Sequence, residues 1–310
     1  MIITLTLNPA VDQTLLVPEV RLGETNRVRA TDIDPGGKGL NVARMLKRLG
    51  RPAVTIALVG GPTGHYIRHR LEHEGVETDL VEIRGTTRIN ISILDESSGI
   101  QTNFNQEGAE IDPTDLLAVE AKIAGWLQEM DVMAMGGSLP PGAPSDTYAR
   151  LIRWINESGI RTALDSSGEA LREGIKAQPY LIKPNIREAQ DLLGRTLTTD
   201  EDVIAAAEEL RSRGISVVVI SMGKRGAIAV DEKGVWKAIS PNVKVGSTIG
   251  AGDSMMAGLV IGIAEHMSLP DSLALGTAAA TATVMNERTE LGTPDQVQEL
   301  LPLIRVEKIK

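Results

Sequence analysis

Strand-like and helix-like segments alternate along most of this chain, and glycine-rich turns follow the strand-like ones. Ile2–Leu7 reads as a buried strand. Val42, Met45, Leu46 and Leu49 mark a helix, and Ala53–Val59 reads as the next strand. The alternation continues through Val132–Met135, a helix near Asp146–Asn156, Arg161–Asp165, Tyr180–Ile182, a helix near Asp202–Arg213 and Val217–Ser221. Parallel neighbours need a crossover, and crossover helices must cover the sheet, so this rhythm demands a mainly parallel sheet with helices on both faces. The expected class is a three-layer α/β/α domain over residues 1–310. In such sheets ligands bind beyond the carboxyl ends of the strands. Gly60-Gly61, Gly136-Gly137 and Gly223 follow strands directly and so fall on that edge.

Two regions break the rhythm. Leu15–Val20 and Arg27–Ile33 look like short strands with no helix between them. Arg88–Ile93 alternates strictly: Ile89, Ile91 and Ile93 share one face, and Arg88, Asn90 and Ser92 the other. Thr102–Asn105 is its expected hairpin partner. These segments, about 12–34 and 87–107, are expected to form a small β-sheet lid. One face of so small a sheet is poorly covered by a monomer, which points to a homodimer formed lid to lid. Arg305–Lys310 is expected to be a tail.

Composition excludes several functions. The net charge is −9 with no Lys/Arg block, which argues against a nucleic-acid partner. Three Trp, three Tyr and one Phe leave little for base stacking. The chain has no cysteine, so disulfides, thiolate catalysis and Cys-ligated zinc are excluded. Met1–Leu7 lacks the basic start of a secretory signal, and no apolar run approaches the roughly 20 residues of a membrane span. A cytoplasmic protein with no membrane partner is expected. His65, His69 and His73 fall at i, i+4, i+8, but Ile67 and Leu71 mark the buried side of that helix. The histidines therefore read as a solvated face, not a metal stripe. His266 has no identifiable partner, so no hydrolase triad is indicated.

The segment Ser247-Thr248-Ile249-Gly250-Ala251-Gly252-Asp253 carries the clearest chemistry. Met256, Leu259, Val260 and Ile263 continue it as an amphipathic helix. Gly250, Ala251 and Gly252 would then aim unpaired N–H groups outward from a helix N-terminus, a ready site for a phosphate or a developing anion. Asp253 lies in the first turn, where the helix dipole favours a carboxylate. A carboxylate beside an anion hole is what phosphoryl transfer to a hydroxyl needs: one group for the proton and donors for the migrating charge.

Other turns are compatible with the same chemistry and, taken singly, with ordinary tight turns. Asp34-Pro35-Gly36-Gly37-Lys38-Gly39 precedes a helix with Asn41 in its first turn, and it lacks the spacing of a Walker A loop. Ser221-Met222-Gly223-Lys224-Arg225-Gly226 is glycine-rich and basic and would suit a nucleotide triphosphate. Asn185 reads as a helix N-cap with Glu188 as its capping-box partner; functionally the two would sit near Mg²⁺, through waters. Gly136–Gly142 ends a strand and could form a pocket wall, with Ser138 facing a sugar.

Taken together and in order, these motifs resemble the ribokinase-like carbohydrate kinases of the phosphofructokinase B type. The resemblance runs from Leu5–Asp12 through Pro35–Arg44, Gly137–Gly142, Asp165–Gly168 and Lys183–Glu188 to the Asp253 segment, nearly the whole chain. It implies an α/β body with a β lid, often dimeric, using ATP and Mg²⁺ on a sugar phosphate. Asp253 would be the base and Gly250, Ala251 and Gly252 the anion hole. Asp12, Gly36, Gly37, Asn41 and Ser138 would hold sugar hydroxyls, and Arg27, Lys38 and Arg88 would hold the sugar's phosphate. Ser221, Gly223, Gly226 and Asn185 would line the ATP site, with adenine toward Ala280 and Thr281. Asn185 and Glu188 would govern Mg²⁺ through waters. Within the branch, Gly23–Val28, Thr87–Asn90 and Asn103–Asn105 look most like 1-phosphofructokinases, while Asp34–Gly37 and Asp165–Leu171 are equally at home in 6-phosphofructokinases and close to tagatose-6-phosphate kinases. A non-enzymatic sugar-phosphate or nucleotide sensor would be expected to lose Asp253 or its glycines, and both are intact.

Overall fold

The computed structural model describes residues 1–310. In chain order it runs β1 (Ile2–Thr6), β2 (Ala10–Val17), β3 (Ala30–Gly36), α1 (Lys38–Arg48), β4 (Ala53–Val59), α2 (Gly61–His73), β5 (Glu77–Thr78), β6 (Val81–Glu82), β7 (Arg88–Asp95) and β8 (Gln101–Asn105). It continues with α3 (Pro113–Trp126), β9 (Val132–Gly136), α4 (Thr147–Glu157), β10 (Arg161–Asp165), α5 (Gly168–Gly174), β11 (Leu181–Ile182), α6 (Ile186–Leu193), α7 (Asp200–Ser212) and β12 (Val217–Ser221). The last elements are β13 (Ala227–Asp231), β14 (Gly234–Ile239), α8 (Ala251–Ala264), α9 (Leu269–Met285), α10 (Pro294–Leu300) and β15 (Arg305–Lys308).

The large sheet has the order β15-β14-β13-β12-β11-β10-β9-β1-β4-β5, with β6 beside β4. Its strands from β12 to β5 pair in parallel, and β13, β14 and β15 add an antiparallel edge. Successive side chains of a strand point to opposite faces. Accordingly Met133, Met135 and Leu164 join one apolar layer with α3 to α7, while Val132, Ala134 and Ala163 join the other with α1, α8 and α9. The expected three-layer body is therefore present. Arg305–Lys310 corrects one expectation: Arg305–Lys308 is an edge strand on β14, with Val306 packed against the core and the Lys308 ammonium 5.4 Å over the Trp236 ring. Its charges are the solvent side of an amphipathic edge, which reads as a tail when its partner is unknown.

A second sheet has the order β3-β2-β7-β8. Its strands differ in extent from the expected ones. β2 stops at Val17, since Pro18 has no N–H to continue a ladder, and β3 runs three residues past Ile33 to Gly36. Pro35 is tolerated because β3 is an edge strand. In register, Asp12 faces Asn90 and Asp34, and Ala10 faces Arg88 and Gly36, so Asp12, Asn90 and Arg88 share one side. Val11 and Ile89 on the other side pack against α1 and α2 through Leu40 and Ile67, but Phe104, 56% exposed, and Ile33 are uncovered. His65, His69 and His73 are exposed on α2. No helix is long and apolar enough to cross a membrane.

Candidate active site

The site starts at the first turn of α8. Gly250 caps it with φ 75°, a conformation glycine adopts without steric cost. Ser254 is the first residue to donate back into the turn, to the Gly250 carbonyl at 2.9 Å. The N–H of Ala251 has only a long contact to the Thr248 carbonyl at 3.4 Å, and those of Gly252 and Asp253 donate to no protein acceptor. Bare amides therefore converge at a helix end. A side chain at Gly250 would be strained by that positive φ, and its Cβ would lie 2.8 Å from Leu291 Cδ2. The Asp253 carboxylate is 8% exposed and accepts one bond, from Asn41 Nδ2 at 2.8 Å. Burial pushes it up to about 6, the Asp165 charge adds to this, and Lys38, Asn41 and Lys183 oppose it.

Beneath Asp253 lies a buried ionic cluster. Asp165 ends β10 and is 4% exposed; Lys38 Nζ approaches it at 2.5 Å and Lys183 Nζ at 2.8 Å. Burial alone would raise Asp165, but Lys183 and then Lys38 overcome it and hold the carboxyl below the usual range. Burial would likewise lower Lys38, but Asp165, Glu188 and Asp253 reverse that and keep it charged. Glu188 Oε1 is 3.5 Å from Lys38 Nζ, while its Oε2 accepts the Asn185 N–H at 2.8 Å in the expected capping box. Lys183 reaches the anion-hole turn: its Nζ lies 3.3 Å from where a Cβ of Gly252 would be.

A cleft of about 530 Å³ opens above this cluster. Asn185, Ser221, Gly223 and Gly226 form one wall, Ala280 and Thr281 of α9 another, and Gly252 and Asp253 the base. All six residues expected to meet a nucleotide are thus brought together. The turn after β12 is less basic than its sequence suggests, because Arg225 swings to Asp200 at the start of α7. The third wall, Ser240 to Val245, carries Val243 and Val245 and follows no periodic pattern that sequence reading could catch.

On the other side of Asp253 lies the second sheet. Asn90 Nδ2 donates to Asp12 Oδ1 at 2.9 Å, and Gly36 packs so close that a Cβ there would fall 2.1 Å from Asp12 Oδ2. Burial raises Asp12, against the lowering effect of Asn90 and Arg88. Arg88 donates to the Gln106 carbonyl at 2.9 Å, the Asn8 carbonyl at 3.0 Å and Ser138 Oγ at 3.4 Å. Asn8 also reaches Ser138 Oγ, at 3.2 Å. Gly37 is the N-cap of α1, with φ 126°. The loop after α9 closes this side: Arg288 pairs with Asp32 at 2.5 Å, and Thr289 donates to Asp34.

The expected trio of phosphate-holding cations is not assembled. Arg27 lies on the exposed connection between β2 and β3. Lys38 turns to Asp165 and Glu188, on the cleft side, since a carboxylate as buried as Asp165 requires a cation. Arg88 alone stands with Asp12 and Ser138. Asp165, Lys183, Asn8 and Asn90 fall within the motifs that carry the resemblance, but the partners they meet here were not expected. Asp165 and Lys183 end or follow strands that become neighbours only once the order β10-β11 is known.

The chain matches the pfkB family carbohydrate kinase model over residues 5–296. A 1-phosphofructokinase of Bacillus subtilis (strain 168) is 36% identical over 309 residues, covering 100% of both chains. The ATP-dependent 6-phosphofructokinase isozyme 2 of Escherichia coli (strain K12) is 36% identical over 301 residues, 96% of this chain and 97% of the relative. The crystal structure of phosphofructokinase-2 from Escherichia coli in complex with substrates and products superposes with a TM-score of 0.91 at 35% identity, over 97% of this chain and 98% of the other.

Proposed function

This chain belongs to the pfkB family of carbohydrate kinases, which are phosphotransferases, and we propose that it converts fructose 1-phosphate and ATP to fructose 1,6-bisphosphate and ADP. One observation carries the reading: Asp253 stands beside unbonded helix amides, between a nucleotide-sized cleft and the Asp12–Arg88 side of the second sheet. Asp253 accepts the proton of the sugar hydroxyl as its oxygen bonds to the γ-phosphorus and the bond to the ADP oxygen breaks. The amides of Gly250, Ala251 and Gly252 receive the oxygens of the migrating group, and Lys183 adds positive charge beside them. Catalysis then rests on position and field more than on covalent chemistry. A base tuned to about 6 is ionised at neutral pH while still able to take a proton.

Asp12, Gly36, Gly37, Asn41 and Ser138 hold the sugar. With Lys38 committed to the cleft side, Arg88 is the main contact to the sugar's phosphate, joined by Arg27 when the sheet closes. In the cleft, Ser221, Gly223, Gly226 and Asn185 face the nucleotide phosphates and Ala280 and Thr281 its base. No group of three or more His, Cys, Asp or Glu side chains could cage a metal. The donor set therefore suits a hydrated Mg²⁺, with Asn185 and Glu188 meeting its waters. Such an ion would neutralise charge on the nucleotide phosphates.

The uncovered apolar side of the second sheet suits a second copy, giving a homodimer. Use of ATP and the lack of cysteine fit the cytoplasm. The equal identity to a 6-phosphofructokinase favours fructose 6-phosphate as the runner-up. Fructofuranose bears CH₂O groups at both ends, so either monophosphate can place a hydroxyl at Asp253. The test is kcat/KM for fructose 1-phosphate, fructose 6-phosphate and tagatose 6-phosphate side by side. Fructose 1-phosphate is expected to lead; a higher value for either rival reassigns the substrate, and ADP release independent of sugar removes the reading.

A further inference from the structure

Arg44 is a buried cation that lines neither the cleft nor the Asp12–Arg88 pair but stands behind both. Its side chain is 3% exposed, one turn beyond Asn41 on α1. Nε and Nη2 contact the two oxygens of Glu74, at the end of α2, at 2.7 and 2.8 Å. Nη2 also lies 3.8 Å from Asp34 on β3. That leaves Nη1, which donates to the Pro35 carbonyl at 3.2 Å and to Asn41 Oδ1 at 3.4 Å. A single nitrogen thus joins the residue preceding the Gly36-Gly37 turn to the amide whose other end donates to Asp253.

An asparagine amide is nearly symmetric in shape but not in charge. Turned one way it offers N–H to Asp253; turned the other way it sets an oxygen against a carboxylate. A guanidinium has donors only. Fixed by Glu74 on the far side of the amide, it favours the first orientation and disfavours the second. We propose that Arg44 is a positioning residue for phosphoryl transfer, which holds the Asn41 amide with its N–H on Asp253 and ties that orientation to the Pro35 carbonyl at the sugar turn. The inference rests on Asp253 being the base.

The base is faced by Lys38 and Asn41 from α1, Asp165 from β10 and Lys183 after β11. Of these, the Asn41 bond is the one Arg44 controls. Losing it removes a donor from the ionised carboxylate, so the base should become harder to deprotonate. Arg44→Lys keeps the charge but not the fork, and Arg44→Met/Glu74→Met removes the pair without stranding a carboxylate.

The experiment is the pH profile of kcat for wild type, both these variants, Asn41→Ala and Arg44→Lys/Asn41→Ala, with KM for ATP and thermal unfolding recorded alongside. For Arg44→Lys we expect kcat to fall about 10-fold and its acid limb to move up by about 0.5–1 pH unit, with KM for ATP within about 2-fold. The Met pair should move the limb the same way, and Arg44→Lys should cost nothing further once Asn41 is alanine. An unmoved acid limb in the folded variants, or additive losses in the double variant, overturns the proposal. Near-normal turnover in Asp253→Asn would instead overturn the base assignment, whatever Arg44 does.

Discussion

The two sides of Asp253 are built by different physics. On the cleft side, the charges beneath Asp253 answer one another: Asp165 is met by Lys38 and Lys183, and Lys38 again by Glu188. These groups hang on the ends of central parallel strands and on helix N-termini, so the body fixes them. On the other side, Asp12, Asn90 and Arg88 sit on a four-stranded sheet whose outer strand is exposed throughout. There Asp12 is met by the neutral Asn90 amide and Arg88 by backbone carbonyls, and the sheet's ion pairs lie at its β3 edge, Asp32 with Arg288 and Asp34 with Arg70. The proposed phosphoryl-transfer groups are thus held by the buried body, while the proposed sugar-phosphate contacts sit on a thin, half-exposed sheet.

The sharpest break in this contrast is Asp253→Asn. We expect kcat to drop about 10³–10⁴-fold with KM for both substrates within about 3-fold, read by steady-state kinetics. The same variant should be more stable. Asp253 titrates near 6 when folded against 3.8 for an ordinary aspartate. A raised carboxylate carries no penalty below the unfolded value, and the fold loses stability as pH rises through the folded one. At pH 7.5 that loss is complete, on the order of 2–3 kcal/mol. Thermal unfolding of Asp253→Asn at pH 7.5 should therefore occur a few degrees higher, and the gain should vanish near pH 4.

Lys183→Met tests the buried side by stability. It strips the buried Asp165 of one of its two cations, and we expect unfolding by urea to register a loss of about 3 kcal/mol. Arg88→Ala tests the half-exposed side by binding: KM for the sugar phosphate should rise about 10–100-fold, with KM for ATP unchanged. A rise in KM for ATP instead would erase the distinction between the two sides. For wild type, kcat should climb with pH through about 6, since the base must be ionised. The smallest effect sought is Phe104→Asp, which should halve the mass seen by light scattering while leaving the monomer folded.

The same contrast explains what could be read from the sequence. The central strands and α8 were legible because burial imposes period and the turns demand glycine. Residues that act by local chemistry were legible too: Asn185 and Glu188 cap α6 as their spacing requires. Residues that act by tertiary pairing were not. Lys38 follows two glycines and reads as a phosphate ligand, yet its direction is set by Asp165, 127 positions away. Lys183 reads as a strand-end lysine until β10 and β11 lie side by side. In the second sheet the strand bounds slipped by several residues, because its alternation is weak and half-buried and only Pro18 marks an end in the sequence.

The small sheet is also fastened to something beyond itself. Asp32 and Asp34 of β3 hold Arg288 and Thr289, and two residues later Leu291 presses on Gly250. A tilt of that strand would pull on the 288–291 loop, which packs against the turn that presents the amides. On the proposed placement of the sugar, this chain of contacts gives the docked acceptor a mechanical route to the amides that would receive the phosphoryl group.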